Sequence, residues 1–323
     1  MPPRVLLLAT KDTIAYQPSR SAVASGADLL ATIPAARRPT AQVTVEDVMA
    51  EPSWDTSPAT MLSLARRARA AILDDGFDGV VITHGIDTLE DTAFLTDLTA
   101  GQATTEGGIV FTGATRHLDD PSTDGPGNLT AALAAATHPA LRHTGVVACL
   151  NDELHAARWV HAADTTSVAA LRSYPYPPLG RVVDGQVELL AVPPPRPPAA
   201  AGEPESDVAL IKTYPGIEPT LLTTVADAGA RGIVLEGTGE SNVPVNLFST
   251  ISDLTEWDIP VVIASRCRTR GVPLEHTPTG TGMAAAIGAI GARGLAPTKA
   301  RAALMVALGS GGVPAVRDWF SRL

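Results

Sequence analysis

Three short loops in this sequence carry residues able to do acyl chemistry. Thr10-Lys11-Asp12-Thr13 follows the apolar run Arg4 to Ala9, Ser53-Trp54-Asp55 follows the alternating segment Gln42 to Val48, and His84-Gly85-Ile86-Asp87-Thr88 follows Val80 to Thr83. A threonine hydroxyl is a poor nucleophile until a base or proton path comes within hydrogen-bond reach, and an aspartate can hold a proton or a cationic group. Thr13 and Asp87 are therefore the first candidates for catalysis. Lys11, two positions from Thr13 and on the same side of an extended segment, is a candidate base. A plainer role is open to Asp87 or Thr88: capping the helix whose pattern begins at Leu89, Ala93 and Phe94.

The elements needed to hold these loops can be read from the same stretches. Each loop lies at the carboxyl end of a short apolar or β-branched run, where open α/β sheets place their ligands. Ser57-Pro58 is a helix-start pair for residues 59–74, Gly108 to Thr112 and Gly145 to Leu150 read as further strands, and Leu129 to Ala136 as a helix. Residues 16–26, rich in Ser, Gly and Ala, suggest a mobile connection or lid. Trp54 is a large aromatic in a polar loop, either a hydrophobic plug or a platform for a ligand.

A chain of 323 residues favours two domains. The Pro/Ala-rich stretch 193–206 reads as a linker between an N-terminal α/β domain, 1–192, and a smaller α/β domain, 207–323. In the latter, Val208 to Thr213, Gly232 to Leu235 and Pro260 to Ala264 alternate with helical segments, which argues for a second parallel sheet; Pro297 to Leu308 reads as a helix ended by Gly309. Hydrophobic residues make up 45% of the chain and aromatics only 4%, so burial rests on Ala, Val, Leu and Ile. The net charge of -10 and pI near 5.1 disfavour nucleic acid or anionic membrane as partners and leave a small molecule. The glycine-rich Gly237 to Asn242 lacks a phosphate-loop or dinucleotide pattern, and the seven histidines lack ligand spacing, so neither cofactor nor metal is expected. Two cysteines make no disulfide framework, the run Val5 to Ala9 is too short for a secretory leader, and no stretch is long enough to span a membrane; a cytoplasmic protein is expected.

In order and spacing the chain resembles the bacterial-type L-asparaginases over nearly its whole length. The resemblance rests on Leu8-Ala9-Thr10-Lys11-Asp12-Thr13-Ile14-Ala15 and on Thr83-His84-Gly85-Ile86-Asp87-Thr88-Leu89-Glu90-Asp91-Thr92-Ala93. It is supported by Thr112-Gly113-Ala114-Thr115-Arg116, Thr123 to Leu129, Leu150-Asn151-Asp152 and Pro178-Leu179-Gly180. It implies a two-domain asparaginase-like α/β fold with a larger N-terminal and a smaller C-terminal sheet, a threonine nucleophile at Thr13, and a homo-oligomer, dimer or tetramer, in which a neighbouring subunit completes the pocket. It also implies that Ser53, Asp87, Asn242 and Glu275 bind an amino-acid substrate, with Trp54, Gly85, Ile86 and Ala114 in the matching motifs around it.

Departures from the family pattern shape the expected activity. Lys11 and Asp12 stand in place of paired glycines, Ile86 in place of a threonine, Ala162 in place of a lysine and Trp54 in place of a glutamine, while the family's tyrosine position falls near Arg20 with Tyr16 the nearest phenol. Loss of two members of an interacting catalytic group costs orders of magnitude in rate. Three readings follow: a hydrolase with the same nucleophile acting on a less polar amide, lactam or ester, with Lys11 in place of the missing lysine; an impaired homologue kept as a binding or regulatory protein; and a genuine L-asparaginase.

Overall fold

The computed structural model describes residues 1–49, 51–196, 198, 200–268, 274 and 281–323. The chain divides into two compact units, Met1–Pro194 and Pro195–Leu323. Part of the stretch expected as a linker lies along the last helix of the second unit, since Ala201 N–H donates to Ser310 Oγ and Glu205 N–H to the Met305 carbonyl.

The first unit runs β1 (Arg4–Thr10), β2 (Tyr16–Gln17), β3 (Ala22–Val23), α1 (Gly26–Ala31), β4 (Gln42–Met49), α2 (Pro58–Leu73), β5 (Gly79–Thr83), α3 (Ile86–Ala100), α4 (Ala103–Glu106), β6 (Gly108–Thr112), α5 (Gly125–Thr137), β7 (Val147–Leu150), β8 (Glu153–Ala156), β9 (His161–Ala162), β10 (Leu171–Arg172), β11 (Gly180–Val183) and β12 (Gln186–Leu189). Eight strands form one sheet in the order β12-β11-β8-β7-β6-β5-β1-β4, parallel from β4 through β7 and antiparallel beyond. The segment 16–23, expected to be mobile, forms a small antiparallel hairpin.

Side chains alternate across the β1 strand, so Val5 and Leu7 enter the core on the face covered by α5 while Leu6 and Leu8 enter the core on the face covered by α2 and α3. Coverage on both faces explains why β1, β5 and β6 are nearly unbroken apolar runs. Each fully buried Leu contributes roughly 1.5–3 kcal/mol.

The second unit contains β13 (Val208–Lys212), α6 (Thr220–Asp227), β14 (Gly232–Gly237), α7 (Phe248–Glu256), β15 (Val261–Ser265), α8 (Thr281–Ala286), β16 (Ile290–Gly291) and α9 (Pro297–Ser321). Its four strands are parallel, in the order β13-β14-β15-β16, over a core of its own that includes Leu235, Ile251 and Ile263. The α9 helix starts at Pro297 as expected but continues past Gly309. That glycine admits another segment instead of ending the helix: a Cβ there would lie 2.0 Å from the Glu203 carbonyl oxygen. The backbone break comes later, at Gly311 and Gly312, before Pro314. No helix among the described residues is long and apolar enough to cross a membrane.

Candidate active site

The ends of β1 and β5 are locked together by two threonines. Thr10 N–H donates to Thr83 Oγ1 (2.9 Å), and the Thr10 hydroxyl donates to the Thr83 carbonyl. Both residues are buried, so the loops that follow leave a fixed base. After Thr10 the chain turns at once, with Ala15 N–H donating to the Asp12 carbonyl at 2.7 Å. Neither Lys11 nor Asp12 has a positive φ, so the turn admits ordinary side chains where glycines were expected.

Asp12 is the hub of this corner. Its carboxylate is buried at 8% exposure; Oδ1 accepts from Thr13 N–H (2.7 Å) and lies 3.2 Å from Thr13 Oγ1, while Oδ2 accepts from Ser53 N–H (2.7 Å). Gly85 closes the other side: a Cβ there would lie 2.0 Å from Asp12 Oδ2 and 2.1 Å from Ser53 Oγ. The three loops named from sequence thus converge on one carboxylate. Lys11, the base expected for Thr13, makes no hydrogen bond or ion pair among the described residues, whereas the Thr13 hydroxyl is bonded to Asp12.

Ser53 opens a short 3-10 turn, Ser53–Asp55, fixed by Thr88, whose hydroxyl donates to the Ser53 carbonyl at 2.7 Å. Thr88, read above only as an alternative cap, so joins α3 to this turn. The Ser53 hydroxyl is buried and has no hydrogen-bond partner among the described residues. Trp54 next to it is 69% exposed, which removes the plug reading of that side chain.

Helix α3 begins at Ile86, with Gly85 as its cap and no capping side chain, so Asp87 sits in the first turn. The Asp87 carboxylate is exposed and has no hydrogen bond or ion pair among the described residues; the helix dipole favours a negative charge at that end. Ile86 is half-buried against the core on the α2 and α3 face. His84 is fully buried, and burial pushes its pKa down, so the ring is neutral. Nδ1–H donates to the Gly85 carbonyl (2.8 Å), which leaves Nε2 to accept from the Thr92 hydroxyl (3.0 Å).

The loop after β6 is held by residues of the motif at 123–129. Asp124 accepts from Thr115 N–H and Arg116 N–H, and Asn128 donates to the Gly113 carbonyl and accepts from Asn151 N–H. Ala114 is buried in the core on the α5 face. Tyr16 packs edge-on against His117 at 5.4 Å, its phenol making no hydrogen bond among the described residues; Arg20 ends a short 3-10 turn, and Ala162 is exposed on β9. In the second unit, Asn242 closes a tight loop after β14 through a pair of main-chain bonds with Thr238. Glu275 lies outside the described residues. Of the two cysteines, Cys149 is buried and Cys267 exposed; no cluster able to hold a metal ion occurs among the described residues.

Residues 4–194 match the family described as asparaginase, N-terminal, and residues 207–320 match the glutaminase/asparaginase C-terminal domain. The chain belongs to the asparaginase family. Family members are hydrolases acting on carbon–nitrogen bonds, so the asparaginase-like fold and the expectation of an enzyme both hold. A probable L-asparaginase of Deinococcus radiodurans is 32% identical to it over 96% of this chain and 94% of its own length. A glutaminase-asparaginase of Pseudomonas fluorescens is 30% identical over 94% of this chain and 86% of its own. Among solved structures, a probable cytoplasmic L-asparaginase from Campylobacter jejuni aligns with a TM-score of 0.85 at 27% identity, covering 99% of this chain and 100% of that one.

For this asparaginase-family chain, the residues that sequence reasoning did not rank are those that hold the loops together: Asp12, Thr88, Asp124 and Asn128. The last two stood in a visible motif. In sequence Asp12 stands out only as a replacement for glycine, because its partner Ser53 N–H is 41 residues away.

Proposed function

We propose that this chain is an amidohydrolase in which Thr13 is the acyl-accepting nucleophile and the substrate is a less polar amide, lactam or ester than asparagine. The observation that carries the reading is the Thr13 hydroxyl in the loop at the carboxyl end of β1, bonded to a buried carboxylate that itself meets the loops of Ser53 and Gly85. Ser53 offers a buried hydroxyl with its hydrogen-bonding capacity unspent, a group suited to orienting a substrate oxygen or nitrogen. The exposed indole of Trp54 gives apolar surface beside it, where the family pattern has a glutamine. Asp87 contributes negative charge in the first turn of α3, and Ile86 and Ala162 lack the hydroxyl and ammonium that would favour a highly polar substrate.

The names of the relatives favour a second reading, asparagine hydrolysis itself. Ammonia or amine release by the purified protein separates the two. Asparagine and glutamine would be run beside neutral primary amides, small lactams and simple esters. The proposal expects kcat/KM on a neutral substrate to exceed that on asparagine by at least about tenfold, a difference of ~1.4 kcal/mol. The opposite order establishes the second reading. Silence on the whole panel, with a protein partner retained in pull-downs, favours a binding or regulatory role. Action in the cytoplasm as a dimer or tetramer completes the proposal.

A further inference from the structure

The nucleophile proposed above needs a proton acceptor, and the sequence offered Lys11 and Tyr16. Neither side chain is bonded to the Thr13 hydroxyl: that of Lys11 has no partner among the described residues, and that of Tyr16 is exposed with its ring against His117. One acceptor does touch the hydroxyl. Asp12 Oδ1 lies 3.2 Å from Thr13 Oγ1.

We propose that Asp12, at a position where the family pattern has glycine, is the general base that activates Thr13 in this chain. This rests on the reading of Thr13 as nucleophile. The placement of the carboxylate supports it. Two backbone donors, Thr13 N–H and Ser53 N–H, each at 2.7 Å, hold one oxygen apiece, so the group cannot rotate away and Oδ1 stays against Oγ1. Gly85 packs so tightly on Oδ2 that no larger residue fits there. The carboxylate is only 8% exposed, so it is held inside the corner formed by the three loops. His84 is neutral, and neither the half-buried Lys11 nor the exposed Asp87 is bonded to Asp12, so no ion pair neutralises the base.

The chemistry balances without another group. In acylation the Thr13 Oγ–H bond breaks and its proton passes to Asp12, while Oγ bonds to the carbonyl carbon and the carbonyl π pair moves to oxygen. Collapse of the adduct breaks the C–N bond, and the proton held by Asp12 goes to the departing nitrogen. Water then adds to the ester carbon, giving a proton to Asp12. The bond between the acyl carbon and Thr13 Oγ then breaks as the carbonyl re-forms, and that proton returns to Oγ. One amide and one water become one acid and one amine.

The test uses the full-length protein with p-nitrophenyl acetate, reading acetyl transfer to Thr13 by intact mass and peptide mapping. Wild type, T13A, D12N and D12G would be compared, the last with and without added formate, and folding followed by thermal unfolding. The expected results are acetyl on Thr13 of the wild type and none in T13A, transfer slowed about 100- to 10,000-fold in folded D12N, and formate-dependent recovery in D12G. D12N transferring at the wild-type rate overturns the proposal but leaves Thr13 as nucleophile. So does a slow D12G that formate does not accelerate, since a purely positional role cannot be met by a free carboxylate; if D12N fails to fold, this arm decides alone. Absence of acetyl on wild-type Thr13 defeats the nucleophile reading and the base with it.

Discussion

His84 and Ser53 show how single side chains near the site trade stability against function. The neutral His84 ring donates through Nδ1 and accepts at Nε2, so protonation would put a second proton opposite the Thr92 hydroxyl in a site closed to water. Its folded pKa is depressed, so the unfolded chain binds the proton more readily. The stability it gives is fully present above the unfolded value near 6.5 and is lost as pH falls through that value towards the folded one. Thermal unfolding followed from pH 8 to pH 5 should therefore show a smaller acid loss in H84N than in the wild type; equal slopes would rule the buried neutral histidine out as the cause. Ser53 presents the opposite case. Its hydroxyl is buried and unbonded among the described residues, so S53A removes a group that costs folding roughly 1–3 kcal/mol while unsatisfied. We expect S53A to melt at or above the wild-type temperature while KM rises. A variant that melts lower with an unchanged KM would place the hydroxyl in the scaffold instead.

At the scale of elements, the central strands were legible from sequence because burial on both faces forces apolar runs, as in Val5 to Leu8 and Val80 to Ile82. Boundaries were less so. Helix α3 starts three residues before the apolar pattern suggests, since Gly85 caps it through main chain alone, and α5 starts four residues early, at Gly125. Gly309 read as a stop signal because glycine ends many helices, whereas here it serves the approach of the Glu203 backbone. The Asp12 carboxylate was not legible as a hub, because its bonds depend on two loops meeting after the sheet is ordered. Two glycines, Gly79 packed against α5 and Gly127 within its first turn, make a sharp comparison. A Cβ on Gly79 would lie 2.2 Å from the Ala136 carbonyl oxygen, backbone that cannot move aside, whereas a Cβ on Gly127 would meet nothing within 4 Å. G79A should cost about 1–3 kcal/mol, and G127A should gain roughly 0.5–1 kcal/mol from helix propensity. Chemical denaturation of the two variants checks the pair; similar effects from both would contradict the packing of α5 on β5.

At the scale of the molecule, composition and motif order carried different parts of the reading. The net charge of -10 excludes no fold but does oppose polyanionic partners, so no retardation of duplex DNA is expected at physiological salt; a shift in gel mobility at micromolar protein would contradict it. Family membership was legible because several short motifs recur in order, from Thr10-Lys11-Asp12-Thr13 to Pro178-Leu179-Gly180, and both matched segments cover the two units. The activity was less legible, because it rests on a few exchanged residues whose effect depends on their neighbours in space. The most direct measurement is product release from the best substrate of the amide, lactam and ester panel by wild type and T13A at matched folded concentration. Loss of at least about 1,000-fold in kcat on removing the Thr13 hydroxyl is the result predicted here. T13A turning over at the wild-type rate would contradict the account, as would a wild-type protein that releases product from none of them.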